Sequence, residues 1–258
     1  MTTLVNLSVS DGVGRLKLAR PALGNAVSPE LVDDLRSAVD ALSIARPRAI
    51  LLEADGPNFC VGGDIRHLAG AGAGAGAVLR TMAEGFHGAL LGLKALDAPI
   101  IAAVRGHAVG GGLGLCLVSD LLLVSDTAQL STGYLRLGLS ADGGVSYFLT
   151  RALGARRALA LLLDPTPVDA ATAVSLGLAH RLVSDGRLDA EAAQMAAAFA
   201  DAPLEASQAM RRLVSDAHLR ELGEHLEAEE REICALAATP YAQKRFRQMT
   251  ANRPPRAI

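Results

Sequence analysis

The sequence predicts an α/β core followed by a helical tail, and three observations carry that reading. Apolar runs of strand length, "AILLEA" (49–54), "PIIAAV" (99–104) and "DLLLVSD" (120–126), alternate with stretches of helical period. A glycine-rich segment, "GHAVGGGLG" (106–114), follows the second run and opens another apolar stretch, so strand, glycine-rich turn, helix and strand recur. From about Leu188 onward the pattern is almost entirely helical. At 258 residues the chain is one large domain or a domain with an appendage. The expected division is a core of residues 1–190 and a helical region of 191–258.

Taken in order, "LVNLSVSDGVGRLKLAR" is two strand-like runs around Asp11-Gly12, a hairpin signal. Ser28-Pro29-Glu30 reads as an N-cap with proline in the first helical position. Leu31, Val32, Leu35, Ala38, Val39 and Leu42 then keep the helical period to about Ser43. "GAGAGAGA" (70–77) is low in complexity and is expected to be a mobile surface loop, with a lid over a site as its functional reading. A helix over about Val78–Leu96 follows, and then the strand that delivers the chain to the glycines. After Gly111 a short helix is expected to about Val118. "GGVSYFLTRALG" and "ARRALALLLD" are helical, and "DAATAVSLGLAHRLV" is a helix stopped at Gly177 and then a strand. The tail divides into helices at Asp189–Ala200, Pro203–Asp216, Leu219–Ala238 and near Tyr241–Met249.

Composition narrows the functional classes. A net charge of −2 gives no electrostatic footprint for nucleic acid, and the absence of Trp argues against base-stacking platforms. Cys60, Cys116 and Cys234 are scattered and form neither a disulfide framework nor a zinc pattern. Each is read as a small packed hydrophobe. No signal peptide is visible at the N-terminus. Arg105, His107 and Asp120 break the most apolar region below the ~18 residues of a spanning helix. The expectation is a cytoplasmic protein with no membrane partner, no metal and no redox cofactor.

The glycines pose the functional question. Gly110, Gly112 and Gly114 are spaced G-x-G-x-G, which does not match a dinucleotide fingerprint, and no phosphate-loop Lys-Ser/Thr follows. Glycines opening a helix instead let a ligand approach free backbone N–H groups, one of which is half of an oxyanion hole. "NFCVGGDI" (58–65), after the strand "AILLEA", offers a second donor. Tight helix packing at Gly110–Gly112 is the structural alternative.

Here the sequence resembles the enoyl-CoA hydratase/isomerase (crotonase) superfamily. "ARPALGNAVSPEL", "GPNFCVGGDI", "IIAAVRGHAVGGGLGLCLVSD", "LGLSADGGVSYFLTRALG" and "ATAVSLGLAHRLV" are similar to five blocks of that family, in order and at its spacing. The resemblance implies a crotonase-like spiral of ββα turns that binds an acyl-coenzyme A thioester, with coenzyme A as part of the substrate. It also implies a helical C-terminal trimerisation region, hence a homotrimer or a dimer of trimers. Carried over by position, the oxyanion donors are the N–H groups of Gly63 and Gly111, with Gly62 and Gly110 beside them. Arg20 and Arg66 are candidates for coenzyme A phosphates, and Asp64 belongs to the same block.

Hydratases of the family use two glutamates, one two residues after the glycine triplet and one in the next block. Those positions are Gly114 and Tyr134 in this chain, so both carboxylates are absent. "SADGG" places Asp142 where family isomerases, ring-epoxide acyl-CoA isomerases and aromatic dehalogenases carry a lone carboxylate. One carboxylate beside a stabilised enolate suffices to move a proton between carbons. The alternative is Asp142 as N-cap of a helix over Gly143–Leu153. His87 stands where the dehalogenase branch has a histidine, but histidine is also frequent among isomerase-like members. It is read first as a structural histidine, with substrate contact as its functional reading. His107 is read as a packing variant. Dehalogenases place Trp at the position of Tyr134. Tyr134 is expected to line the acyl pocket, with a hydroxyl able to orient the thioester or a water. The favoured activity is an enoyl-CoA isomerase. The alternatives are a hydratase or lyase and a non-catalytic acyl-CoA binder.

Overall fold

The computed structural model describes residues 3–70, 74–164 and 166–216. Strands β1 (Val5–Ser10) and β2 (Val13–Leu18) form the expected hairpin. Asp11 and Gly12 both take positive φ, 50° and 75°, the backbone a two-residue turn of matching twist requires. Helix α1 (Pro29–Ala45) starts as expected: the Ser28 side chain accepts from the Leu31 N–H, and Pro29 needs no donor there.

β3 (Ala49–Ala54), β4 (Ile100–Val104), β6 (Leu121–Ser125) and β9 (Arg181–Val183) extend the hairpin into a sheet of order β1-β2-β3-β4-β6-β9. Only β1 and β2 pair antiparallel in that sheet. Apolar side chains of period two cover both faces. Leu16, Leu18, Ile50, Leu52, Ile100, Ala102 and Val104 pack in one core with α1 and α3 (Ala75–Ala95). Val13, Ala49, Leu51, Ile101, Ala103 and Leu123 face Leu188, Ala192 and Ala196 of α8 (Leu188–Asp201).

A second sheet escapes sequence reasoning. β5 (His107–Val109), β7 (Gln129–Ser131) and β8 (Val168–Asp169) are two or three residues long, too short to show a period. Helices α4 (Gly111–Leu117), α5 (Val145–Leu153), α6 (Ala155–Leu163) and α7 (Ala170–Ser175) complete the succession of ββα units.

The loop expected over residues 70–77 is corrected. α2 (Ile65–Gly70) runs into it and α3 begins at Ala75, because its alanines favour helix and the apolar stripe of Met82, Phe86, Leu90 and Leu93 docks the helix on the core. Residues 71–73 lie outside the described residues. The described residues fall into two compact units divided between Ala200 and Asp201. The second contains α9 (Leu204–Asp216). The helices expected at Leu219–Ala238 and Tyr241–Met249, and Cys234, lie outside the described residues. No helix among the described residues is long and apolar enough to cross a membrane.

Candidate active site

The two glycine segments meet through short pieces of strand pairing. Cys60 bridges Ala108 in parallel: the Cys60 N–H donates to His107 O at 3.0 Å, and the Val109 N–H to Cys60 O at 2.9 Å. This lays the 58–63 segment along β5, so Gly63 and Gly111 emerge from one end of the same ladder. Val27 bridges Gly63 on the other side, donating to Gly62 O and accepting from the Asp64 N–H, both at 2.8 Å. In that parallel pattern the Gly63 N–H points away from Val27. Neither the Gly63 nor the Gly111 N–H donates to an acceptor among the described residues.

The glycines have distinct reasons to be glycine. Gly110 takes φ 53° and ψ −119°, a backbone that side chains disfavour; its N–H donates to Ser131 O and its carbonyl accepts from Gly114. Gly63 has open space where a Cβ would stand, and a Cβ on Gly111 would make only ordinary contact with the Phe86 ring, at 3.6 Å. Gly112 and Gly114 are packing glycines: a Cβ on Gly112 would strike Cys60 O, and one on Gly114 would strike Gly143 O. The exposure argument therefore fits Gly63 and Gly111, and the packing alternative holds at Gly112 and Gly114.

Asp142 is not the cap of α5. Gly144, at φ 74°, occupies that position without a side-chain cap, and the helix starts at Val145 rather than Gly143. The Asp142 carboxylate instead reaches His87 on α3, with Nε2 to Oδ1 at 2.7 Å. The side chains are 45% and 43% exposed respectively. An ionised carboxylate only accepts, so Nε2 carries the proton that bridges them. Gly143, next in sequence, is close enough to Gly111 and Phe86 that a Cβ on it would lie 3.4 Å from the Gly111 Cα and 3.1 Å from the Phe86 ring, so the segment carrying Asp142 packs against the start of α4.

The Tyr134 hydroxyl has a partner within the chain. It donates to the backbone carbonyl of Asp142 at 2.7 Å. Burial raises the Tyr134 phenol well above its usual range, and the Asp142 charge adds to this, so it remains a neutral donor.

Arg20 and Asp64 form an ion pair at 2.8 Å, with side chains 19% and 11% exposed. The same Arg20 Nη1 donates to Ala26 O, and Asp64 Oδ1 accepts the backbone N–H groups of Arg66 and His67 at the start of α2. Burial alone would raise the Asp64 carboxyl. The Arg20 bond and charge, with the two N–H donors, hold it below the ordinary carboxylate range. Arg66 itself is exposed. Gly62, at φ 93°, lies against Val109 O. His107 is exposed, and its N–H donates to Asn58 Oδ1.

Sequence reasoning missed Asn25 and Phe86. Asn25 is fully buried; its amide donates to Asp55 O and Asn58 O, tying the chain before α1 to the loop that carries Gly63. Its place in "ARPALGNAV" was the available signal. Phe86 lies inside the helix expected over about Val78–Leu96, and nothing in its sequence setting marks it out. Cys60 and Cys116 are buried free thiols, and burial pushes Cys60 up to about 12, so it is no nucleophile near neutral pH. No group of side chains among the described residues is arranged to hold a metal ion.

Comparison with known proteins places these features in a family. The sequence pattern described as enoyl-CoA hydratase/isomerase matches residues 8–251. Among curated relatives, a 4-chlorobenzoyl coenzyme A dehalogenase of Arthrobacter sp is 27% identical over 244 residues, covering 94% of this chain and 88% of the relative. A Mycobacterium abscessus protein described as an enoyl-CoA hydratase/isomerase superposes with a TM-score of 0.90 at 32% identity, over 97% of this chain and 98% of that one. A Thermobifida fusca protein described as an enoyl-CoA hydratase, crystallised with acetoacetyl-CoA, superposes with a TM-score of 0.83 at 31% identity, over 92% and 95% of the two chains. The ββα architecture is therefore the crotonase fold, and this chain belongs to the enoyl-CoA hydratase/isomerase family.

Proposed function

We propose that the protein is an acyl-CoA double-bond isomerase working through a thioester enolate. The observation that carries this is the carboxylate of Asp142, which meets His87 Nε2 at 2.7 Å on a segment whose next residue, Gly143, packs against Gly111. The Gly63 and Gly111 N–H groups hold the thioester oxygen and stabilise the charge that develops on it. Asp142 takes a proton from C2 of a 3-enoyl-CoA. The C–H pair moves into the enolate, and the negative charge rests on the oxygen. The Asp142 O–H then protonates C4 as the double bond moves to C2–C3. His87 Nε2 stabilises the ionised carboxylate before the first transfer and after the second, and holds the group in place while it carries the proton.

The site does not suit water addition by a glutamate pair. A side chain at position 114 would meet Gly143 O, and Tyr134 stands at the second position with its hydroxyl committed to Asp142. Arg66, exposed on α2, is the candidate for coenzyme A phosphates, whereas Arg20 steadies the Gly63 segment through Asp64. Assembly as a trimer or a dimer of trimers is part of the same proposal. It is supported by Met210 and Val214, exposed one turn apart on α9.

Incubation with trans-3-hexenoyl-CoA tests the reading. Ultraviolet absorbance of a conjugated 2-enoyl thioester is expected to appear. Binding without absorbance change would favour a non-catalytic binder.

A second reading has one specific observation behind it. The His87–Asp142 pair, with the likeness to the Arthrobacter dehalogenase, also suits Asp142 as nucleophile on an aromatic acyl ring and His87 as base for the water that cleaves the aryl ester. Release of chloride from 4-chlorobenzoyl-CoA would support it over isomerisation.

A further inference from the structure

We infer that Tyr134 is a positioning residue, a strut that fixes the Asp142 carboxylate relative to the Gly111 amide. The catalytic consequence rests on the function proposed above; the geometry does not. The ring of Tyr134 lies against Gly110, where a Cβ would touch Cε1 and Cζ at 3.6 Å. Gly110 supplies the carbonyl half of the peptide whose N–H belongs to Gly111. The hydroxyl of the same side chain donates to Asp142 O at 2.7 Å. One rigid phenol therefore touches both halves of the site.

The strut is itself anchored. The Tyr134 carbonyl accepts the N–H groups of Leu137 and Leu139, at 2.9 and 3.1 Å, which fixes the turn from which the side chain projects. Phe86 packs near the same segment: a Cβ on Gly111 would lie 3.6 Å, and one on Gly143 3.1 Å, from its ring. The segment carrying Asp142 thus meets both Tyr134 and Phe86, leaving the half-exposed carboxylate to choose a direction that His87 then settles. Gly143 and Gly144, both at positive φ, are glycines because the chain must turn sharply between these contacts and α5.

The test is Tyr134→Phe in the full chain, which keeps the ring on Gly110 and removes the hydroxyl. Two readouts are taken. The first is the ¹⁵N resonance and titration of the His87 ring, assigned with His87→Gln, which needs no turnover. The second is steady-state kinetics on trans-3-hexenoyl-CoA. The strut predicts a moved His87 resonance, a kcat lower by about ten- to a hundredfold, and a KM within about threefold of wild type. A His87 resonance identical to wild type overturns the proposal, whatever the rate does, because the hydroxyl then acts elsewhere. A moved resonance with unchanged kcat overturns it as well, because the bond then positions nothing that matters. Should the wild-type protein not isomerise, the function proposed above fails, and the His87 resonance alone decides whether the hydroxyl places Asp142.

Discussion

The carbonyl oxygen of Gly143 occupies the space that a side chain on Gly114 would need. This contact explains why position 114 is glycine. It also means the missing glutamate is replaced by backbone, not by an empty slot. The prediction is that Gly114→Glu does not create hydratase activity. It is expected to destabilise the fold by at least the ~1–3 kcal/mol typical of overpacking. Urea denaturation and hydration of crotonyl-CoA measure both parts; a stable variant that hydrates would show that the 142–144 segment yields easily.

Gly111 offers the opposite case. It is the first residue of α4, where a missing N–H costs the helix nothing and proline is tolerated. A Cβ there meets only the Phe86 ring at ordinary distance. Gly111→Pro should therefore stay folded while losing the oxyanion donor, with turnover falling by ~10²–10³-fold. A folded variant with wild-type kcat would remove this amide from the mechanism.

The Arg20–Asp64 pair predicts a pH-dependent contribution to stability. The Asp64 carboxyl is depressed in the folded protein, so its contribution is complete above the ordinary carboxylate pKa of ~3.9. It is lost as pH falls through the lower folded value. Asp64→Asn should cost about 1–3 kcal/mol at pH 7, as for a charge-assisted hydrogen bond in a mostly buried site. The gap between variant and wild type should close under strong acid. Denaturation midpoints at pH 7 and at pH 3 check this, and a gap that widens in acid would contradict it.

Much of the frame was legible because its signals are local. Asp11-Gly12, Ser28-Pro29 and the apolar strands each act within a few residues, and the structure uses them as read. What was not legible depends on pairing across the chain. β5, β7 and β8 are defined by their partners and not by any period. His87 and Asp142 are 55 residues apart, and Arg20 and Asp64 are 44 apart, so neither pair announces itself. Asp142 beside two glycines also allowed the alternative of a helix cap; the positive φ of Gly144, which moves the helix start, removes that role. The alanine–glycine run misled because composition suggested a loop where the apolar stripe of α3 decided the outcome.

His87 tests the pair from the other side. Because both side chains are nearly half exposed, His87→Gln should change stability by less than ~1 kcal/mol. Its effect should fall on the rate of proton transfer instead, with Kd for acyl-CoA preserved. Thermal melting together with kcat on trans-3-hexenoyl-CoA separates these outcomes; a large loss of stability with normal turnover would make His87 structural.

The most direct measurement is solvent deuterium exchange at C2 of trans-3-hexenoyl-CoA with wild type and Asp142→Asn. Since Asp142 does not cap α5, the variant should fold and bind as wild type does. It cannot take a proton. The account predicts that wild type incorporates deuterium and that Asp142→Asn does so ~10²–10⁴-fold more slowly. Exchange by the variant at the wild-type rate would show that Asp142 is not the base.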